Sequence, residues 1–188
     1  IRFIPIKLID VAGLVPGAHE GKGLGNQFLD DARQADMLIH VVDISGSTDI
    51  QGQHVSVGTH DPREDIKFVE EEFDYWFKQI LGREWQKLSR DIEKKSTKLA
   101  DEITTRFSGL GVKDNDVHEV LQSLGLLNKK PTEWDDSDIT KFAQMLRKKT
   151  KPMIIAANKA DLCKDLDITN EIHKNREIVN CSAETELI

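Results

Sequence analysis

Short apolar runs that each end in a polar residue recur along the chain and predict buried strands. The runs are residues 4–9, 37–42, 153–157 and 177–181, and the polar residues after or at their ends are Asp10, Asp43, Asn158 and Ser182. Each run has the length of a strand, and the first three are almost continuously apolar, as in strands that are buried on both faces of a parallel sheet. Because ligands bind beyond the carboxyl ends of such strands, we expect these polar residues at one rim of the sheet.

Helical periodicity dominates the middle of the chain. Residues 24–34 predict a helix between the first two strands. Residues 61–150 carry two apolar runs at helical spacing separated by Gly82, which predicts two long amphipathic helices packed as an antiparallel hairpin. Acidic residues predict two further helices, one from Asp114 to Leu124 and one from residues 135–138 to Lys149. The pattern therefore predicts an α/β domain of residues 1–60 and 151–188 with a helical insert of residues 61–150.

The three tryptophans, Trp76, Trp85 and Trp134, all lie in the predicted insert. Their positions in the apolar pattern favour burial in the core of the helical hairpin. The alternative is that they mark faces that contact a partner.

Composition and charge exclude several classes of function. The net charge is −7 and the pI is about 5.4, which argues against the overall electrostatics of a DNA-binding protein. No apolar run reaches the ~20 residues that a membrane-spanning helix needs, so we expect no membrane partner. Cys163 and Cys181 lack metal-ligand spacing and are expected to be reduced thiols of a cytoplasmic protein.

The glycine-rich stretch DVAGLVPGAHEGKGLGNQFL at residues 10–29 is not a phosphate-binding P-loop. That motif requires G-x-x-x-x-G-K-[ST], whereas only three residues separate Gly17 from Gly21, and Gly23 stands where the hydroxyl residue is needed. The informative part is D-x-x-G at Asp10 and Gly13, directly after the first predicted strand. The aspartate can hold Mg²⁺ through water, and the glycine can offer its backbone N–H to a terminal phosphate.

Two motifs at later strand ends point to a guanine base. In NKAD, Asp161 can accept two N–H bonds that guanine offers and adenine does not, while Asn158 ties loops together and the Lys159 stem covers the base. Ser182-Ala183-Glu184 follows the next strand, where a backbone N–H can meet the guanine carbonyl. Each motif alone is weak, but their order and their positions at strand ends together indicate a guanine-nucleotide site.

With these motifs, the sequence resembles the translation-factor-class GTPases and, within them, the Obg/YchF family. DVAGLVPGAHEGKGLGNQFL is similar to the switch II region of that family, and LIHVVD to the strand after it. HDPREDI resembles the entry into the helical insert of YchF, and NKAD and SAE resemble the fourth and fifth guanine-nucleotide motifs. The resemblance covers nearly the whole chain and is closest to archaeal GTP-binding proteins related to YchF.

The resemblance implies a partial Ras-like P-loop GTPase fold, with a mostly parallel sheet and an inserted α-helical hairpin domain. It also implies GTP or GDP with Mg²⁺ as ligands, bound by Asp10, Gly13, NKAD and SAE. YchF itself has N-x-x-E in place of NKAD, a change associated with a preference for ATP, so Asp161 favours guanine.

The family's P-loop, its first strand and its TGS domain have no counterpart in these residues. We expect them before Ile1 and after Ile188, and we expect the chain alone to be inactive. In the family sheet the first strand lies between the DVAGL and LIHVV strands, so both would have an unpaired edge here.

Leu14 implies slow intrinsic hydrolysis. Many Ras-like GTPases place a water-orienting glutamine directly after D-x-x-G, and a leucine cannot polarise water. With Gly13 and Leu14 as the catalytic switch residues, hydrolysis would need a further group, from a partner or a potassium ion. His19 and Lys22 are candidates within the chain, although a solvated loop is the simpler interpretation of both.

The predicted function is a GTPase that hydrolyses GTP to GDP and phosphate, with a helical insert that contacts the ribosome or another RNA–protein assembly. Two alternatives stay open. One is an ATPase of the YchF type, and the other is a helical module that binds a partner without nucleotide.

Overall fold

The computed structural model describes residues 4–11, 14, 31–163, 171–172 and 176–186, and the statements below refer to these residues. They contain a three-stranded parallel sheet in the order β1–β2–β3. The strands are β1 (Leu38–Asp43), β2 (Met153–Asn158) and β3 (Glu177–Asn180). Asp43 lies opposite Asn158 in the register, so the polar ends of β1 and β2 are neighbours, as predicted.

The prediction of a strand at residues 4–9 is wrong. These residues have no strand structure, and Ile4, Ile6 and Leu8 are 78%, 81% and 74% exposed. A strand needs a neighbouring backbone to satisfy its N–H and C=O groups, and β1 pairs only with β2 within the described sheet. The apolar pattern is present, but the described residues supply no partner strand for it.

Helices form most of the remaining described structure. They are α1 (Pro62–Gly82), α2 (Trp85–Lys95), α3 (Leu99–Arg106), α4 (Asp114–Ser123), α5 (Asp136–Thr150) and α6 (Ala183–Glu186), with short 3₁₀ turns at Ser108–Leu110 and Pro131–Glu133. Residues 31–34 are helical as well, whereas the rest of the helix predicted at residues 24–34 lies outside the described residues. The predicted α4 and α5 are confirmed to within two residues at each end.

Local capping explains where the long helices begin. The Asp61 carboxylate accepts the N–H of Arg63 at 3.0 Å, and Pro62 occupies the first turn of α1. At α5, Asp135 accepts from the N–H of Asp138 at 2.9 Å, and the Asp138 carboxylate accepts from the N–H of Asp135 at 3.0 Å. This reciprocal capping satisfies two N–H groups that the helix itself leaves unpaired.

The predicted antiparallel hairpin is wrong in its second arm. That arm is broken into α2 and α3 at Ser96, which has a left-handed φ of 54°, and Glu84 before α2 has a φ of 53°. A left-handed residue ends a helix and redirects the chain. As a result α1 packs mainly against α5, and α3 packs mainly against α4.

Two hydrophobic clusters hold these elements together. The larger one lies among the helices and includes the fully buried Phe77, Phe107 and Phe142. The smaller one lies under the sheet and joins Val42, Ile155 and Ile178 to residues of α1 and of the loop after β1, among others. Residues of α1 belong to both clusters, so the hydrophobic core does not divide at residue 61. The boundary between the α/β domain and the helical insert at that residue therefore stays a prediction.

The tryptophans belong to the larger cluster. Trp76, Trp85 and Trp134 are 5%, 6% and 6% exposed, and the rings of Trp85 and Trp134 lie 5.0 Å apart. Their interpretation as core residues is therefore confirmed, and the alternative that they mark partner-binding faces is wrong.

Candidate functional site

The NKAD turn begins where β2 ends and is held from both sides. The carbonyl of Asn158 accepts the N–H of Ile44 at 3.0 Å, which ties the turn to the chain after β1. The N–H of Ala160 donates to the carbonyl of Cys181 at 3.1 Å, which ties it to the end of β3. Lys159 adopts a left-handed φ of 59°, so the chain reverses sharply and Asp161 is directed toward β3.

NKAD and SAE, far apart in sequence, are joined by direct hydrogen bonds. The Oδ1 atom of Asn158 accepts the backbone N–H of Ala183 at 3.0 Å. The hydroxyl of Ser182 donates to Oδ1 of Asp161, and Thr185 Oγ1 lies 3.4 Å from the other carboxylate oxygen of Asp161. The two motifs therefore form one continuous surface at the carboxyl ends of β2 and β3.

The SAE segment is organised by residues that the sequence analysis did not single out. Glu186 accepts the N–H of Ser182 at 3.1 Å through its side chain, and its own N–H donates to the carbonyl of Ser182 at 2.9 Å. Thr185 contacts the Ser182 hydroxyl at 2.9 Å. Glu184 lies in the first turn of α6 with an exposed side chain. Thr185 and Glu186 directly follow the SAE motif in the chain, and this position is the signal by which the sequence could have identified them.

Asp43, at the end of β1, is the most heavily hydrogen-bonded carboxylate in this part of the molecule. Its Oδ1 accepts from the N–H and the hydroxyl of Ser45, at 3.0 and 2.6 Å. Its Oδ2 accepts from the hydroxyls of Ser47 and Thr48, both at 2.7 Å, and from Nζ of Lys159 at 2.7 Å. The sequence placed Asp43 at a strand end but gave it no role.

These bonds stabilise the charged form of Asp43. Partial burial by itself raises the pKa of the carboxyl, but the bonds from Lys159 and from three hydroxyls outweigh it and hold the pKa well below its usual range. Asp43 therefore carries its negative charge at neutral pH.

A cavity of about 620 Å³ lies beside β1 and reaches the NKAD turn. Asp10, Leu14, Asn158 and Lys159 all line it, together with residues of β1. Asp10 is exposed, whereas Leu14 also packs against the larger hydrophobic cluster. Gly13, His19 and Lys22 lie outside the described residues.

Four aspartates line the cavity, Asp10, Asp43, Asp49 and Asp65, and among them only Asp10 is exposed. The described residues contain no cluster of three or more His, Cys, Asp or Glu side chains that could hold a metal ion by themselves. Mg²⁺ in nucleotide sites is bound through one or two carboxylates and the phosphates, with water completing the shell. The exposed carboxylate of Asp10 fits that arrangement. In the described part of the chain, no helix is both long and apolar enough to cross a bilayer.

Comparison with known proteins shows the family. Residues 2–75 match the family MMR_HSR1, described as a 50S ribosome-binding GTPase. The whole chain aligns with the GTP-binding protein MJ1332 of Methanocaldococcus jannaschii at 43% identity over 190 residues. Residues 2–75 of the chain belong to the MMR_HSR1 family of GTPases. The chain spans 47% of the length of MJ1332, about half of the relative.

A solved structure agrees with this family, and a more distant relative is an Obg-like ATPase. The crystal structure of a GTP-binding protein from Pyrococcus horikoshii matches with a TM-score of 0.77 at 42% identity, covering 85% of this chain and 47% of that protein. Human Obg-like ATPase 1 is 29% identical over 158 residues, which are 81% of this chain and 36% of that protein.

Proposed function

We propose that the full-length protein binds GTP through the surface formed by NKAD and SAE and hydrolyses it to GDP and phosphate. The observation that carries this proposal is the pair of hydrogen bonds from Ala183 to Asn158 and from Ser182 to Asp161. They bring together the two segments that a guanine-specific site requires, 25 and 21 positions apart in the chain.

Asp161 supplies the specificity in this proposal. A carboxylate oxygen has two lone pairs, so an oxygen that accepts from Ser182 can still accept an N–H of guanine. Adenine lacks the second N–H of that pair, which would leave Asp161 unsatisfied and weaken binding. The N–H of Ala183 already donates to Asn158, so a guanine carbonyl would have to share or replace that bond.

The hydrolytic step depends on the segment that includes Asp10, Gly13 and Leu14. When Mg²⁺ is bound it neutralises charge on the phosphates, and Asp10 is the residue that would hold it through water. Leu14 lines the cavity and packs on the hydrophobic core, and its side chain has no donor or acceptor that could orient the attacking water. A slow reaction that needs a group from a partner or a potassium ion follows from this lack of a polar group.

An ATPase is the competing assignment, since a relative at 29% identity is an Obg-like ATPase. The two are separated by calorimetry with GTP and ATP on the full-length protein, and by phosphate release at saturating nucleotide. We expect GTP to bind at least tenfold more tightly than ATP. Equal or tighter binding of ATP, or no phosphate release from GTP under any condition, would contradict the proposal.

A basic helix face favours an RNA-containing partner for the insert. Lys87, Arg90 and Lys94 are exposed and lie on one face of α2, opposite the buried Trp85 and Ile92, in a chain whose net charge is −7. Glu84 lies 3.9 Å from Lys87 and offsets part of this positive charge. Such a patch can bind phosphates while the rest of the surface repels them. This basic face is the observation from which we propose that the insert contacts a ribosome or another RNA–protein assembly.

Charge reversal tests the partner. In the full-length protein, the double substitution Lys87→Glu and Lys94→Glu is expected to abolish cosedimentation with ribosomes at low salt. The control is Lys67→Glu on α1, where the lysine side chain is 73% exposed. Equal sedimentation of both variants would exclude α2 as the contact surface.

A further inference from the structure

Lys159 is held at its ammonium end by residues that follow a different strand. Its Nζ atom contacts Asp43 Oδ2 at 2.7 Å, Ser47 Oγ at 2.9 Å and Thr48 Oγ1 at 3.2 Å. Lys159 and Asp43 are 116 positions apart, and only 12% of the Asp43 side chain is exposed. An ammonium group has three protons to donate, and each of them has a partner here.

The carboxylate that receives Lys159 is itself held in position. Ser45 binds one oxygen of Asp43 through both its N–H and its hydroxyl, and Ser47 and Thr48 bind the other. Ser47 and Thr48 also contact Lys159, so the hydroxyls, the carboxylate and the ammonium form a closed network.

The backbone of Lys159 is held at the other end of the side chain. The next residue, Ala160, is bonded to the carbonyl of Cys181, and Asn158 is bonded to Ile44. The four-carbon stem of Lys159 is therefore fixed at both ends and does not have to be ordered when a ligand binds. A surface ordered in advance binds more tightly because less conformational entropy is lost on binding.

We propose that Asp43 is a positioning residue for guanine-nucleotide binding, which acts by holding Lys159 in the orientation in which its stem covers the base. This inference rests on the proposed function and extends it to residues that neither NKAD nor SAE contains. The side chain of Asp43 is bound by Lys159 and by three residues of its own loop, so we expect its effect to fall on nucleotide affinity and not on the rate of the bound complex.

A double-mutant cycle in the full-length protein tests this role. Asp43→Asn keeps the shape of the side chain and removes its charge, and Lys159→Met keeps the stem and removes the ammonium. We expect Asp43→Asn to raise the Kd for GTP on the order of tenfold, as for loss of a hydrogen bond between charged groups. In the Lys159→Met background the same substitution is expected to have no further effect, and kcat at saturating GTP should stay within about twofold of the parent protein.

Two further variants keep the test decisive. Asp101→Asn makes the same change at an exposed carboxylate in the first turn of α3, away from the cavity, and it should bind GTP as the parent protein does. Thr48→Val removes one hydroxyl from the network at nearly constant volume and should raise the Kd by a smaller factor than Asp43→Asn. Thr48→Val also tests the positioning role if the Asp43→Asn variant does not fold.

The outcomes separate this inference from the proposed function. If the parent protein binds GTP but Asp43→Asn binds it equally well, the positioning role is wrong and the proposed function stands. If Asp43→Asn weakens binding to the same extent with and without Lys159, Asp43 acts on the fold and not through the lysine. If the parent protein does not bind GTP, both proposals are rejected.

Discussion

The side-chain oxygen of Asn158 accepts the backbone N–H of Ala183 at 3.0 Å, across 25 positions of sequence. This bond links the end of β2 to the segment after β3. Since the same segments carry Asp161 and Ser182, it fixes the distance between the groups that we propose to read the guanine base.

Removal of this link should weaken nucleotide binding more than it weakens the fold. Asn158→Ala in the full-length protein is expected to raise the Kd for GTP on the order of tenfold, because the hydrogen bond is lost and the two turns are no longer held together. Calorimetry measures the effect. Asn115→Ala, at an exposed position in the first turn of α4, is the matched control and should bind as the parent protein does. Equal affinities for the two variants would contradict the role of Asn158.

The charge of Asp43 predicts a specific dependence of stability on pH. Its pKa is lower in the folded protein than in the unfolded chain, so its contribution to the free energy of unfolding is present above the unfolded pKa of about 4 and is lost as the pH falls through the folded value. The difference in stability between the parent protein and Asp43→Asn should therefore be constant above about pH 5 and shrink in more acidic solution. Urea titrations at several pH values measure this difference. A difference that stays constant down to about pH 3 would show that Asp43 is not held in its charged form.

Gly46 occupies a position that no other residue fits. Its φ is +62°, and a Cβ atom there would lie 2.2 Å from the carbonyl oxygen of His60. Gly46→Ala should lower the free energy of unfolding by about 3–5 kcal/mol, from the left-handed backbone and the clash together. Gly52, with a φ of +77° and no atom within 4 Å of such a Cβ, is the control for the backbone alone, and Gly52→Ala should cost about 1–2 kcal/mol. Chemical denaturation measures both variants. Equal losses of unfolding free energy for Gly46→Ala and Gly52→Ala would show that the contact with His60 adds no cost.

A buried ion pair joins α1 to α5. Arg147 Nε donates to Asp74 Oδ1 at 2.8 Å, with 3% and 15% of the two side chains exposed. Asp74→Ala leaves a buried charge without this partner and should cost about 3–5 kcal/mol, whereas Asp74→Leu combined with Arg147→Met should recover most of that loss. Lys67 and Glu71 form an exposed pair at 3.7 Å on α1, so Glu71→Ala should change stability by less than about 1 kcal/mol. A similar cost for Asp74→Ala and Glu71→Ala would show that the buried pair is solvated.

The sequence was most informative where a motif and a strand end coincide. Apolar runs ending in Asn158 and near Ser182 predicted strands, and parallel strands bring their carboxyl ends to one rim, so the contact between NKAD and SAE could be expected. The caps at Asp61 and Asp135 show the same kind of local chemistry, since each helix start depends only on residues within one turn.

The features that could not be predicted depend on distant contacts. An almost continuous apolar run at residues 4–9 indicates a strand, but it does not supply the neighbouring backbone that a strand requires. The break at Ser96 is a left-handed backbone conformation of a single residue, which helical periodicity does not encode. The bond between Asp43 and Lys159 joins positions 116 apart, and the pattern around either residue says nothing about the other.

The base preference of an Asp161→Asn variant tests the central claim most directly. In the proposed site the Asp161 carboxylate accepts two N–H bonds from guanine, and an asparagine would instead match xanthine, which presents a carbonyl where guanine has its amine. Calorimetry of the full-length protein with GTP and XTP should show that the parent protein prefers GTP and that Asp161→Asn prefers XTP. A variant that keeps the parent preference for GTP, with unchanged affinity, would contradict base reading by Asp161 and with it the assignment of this surface as the guanine site.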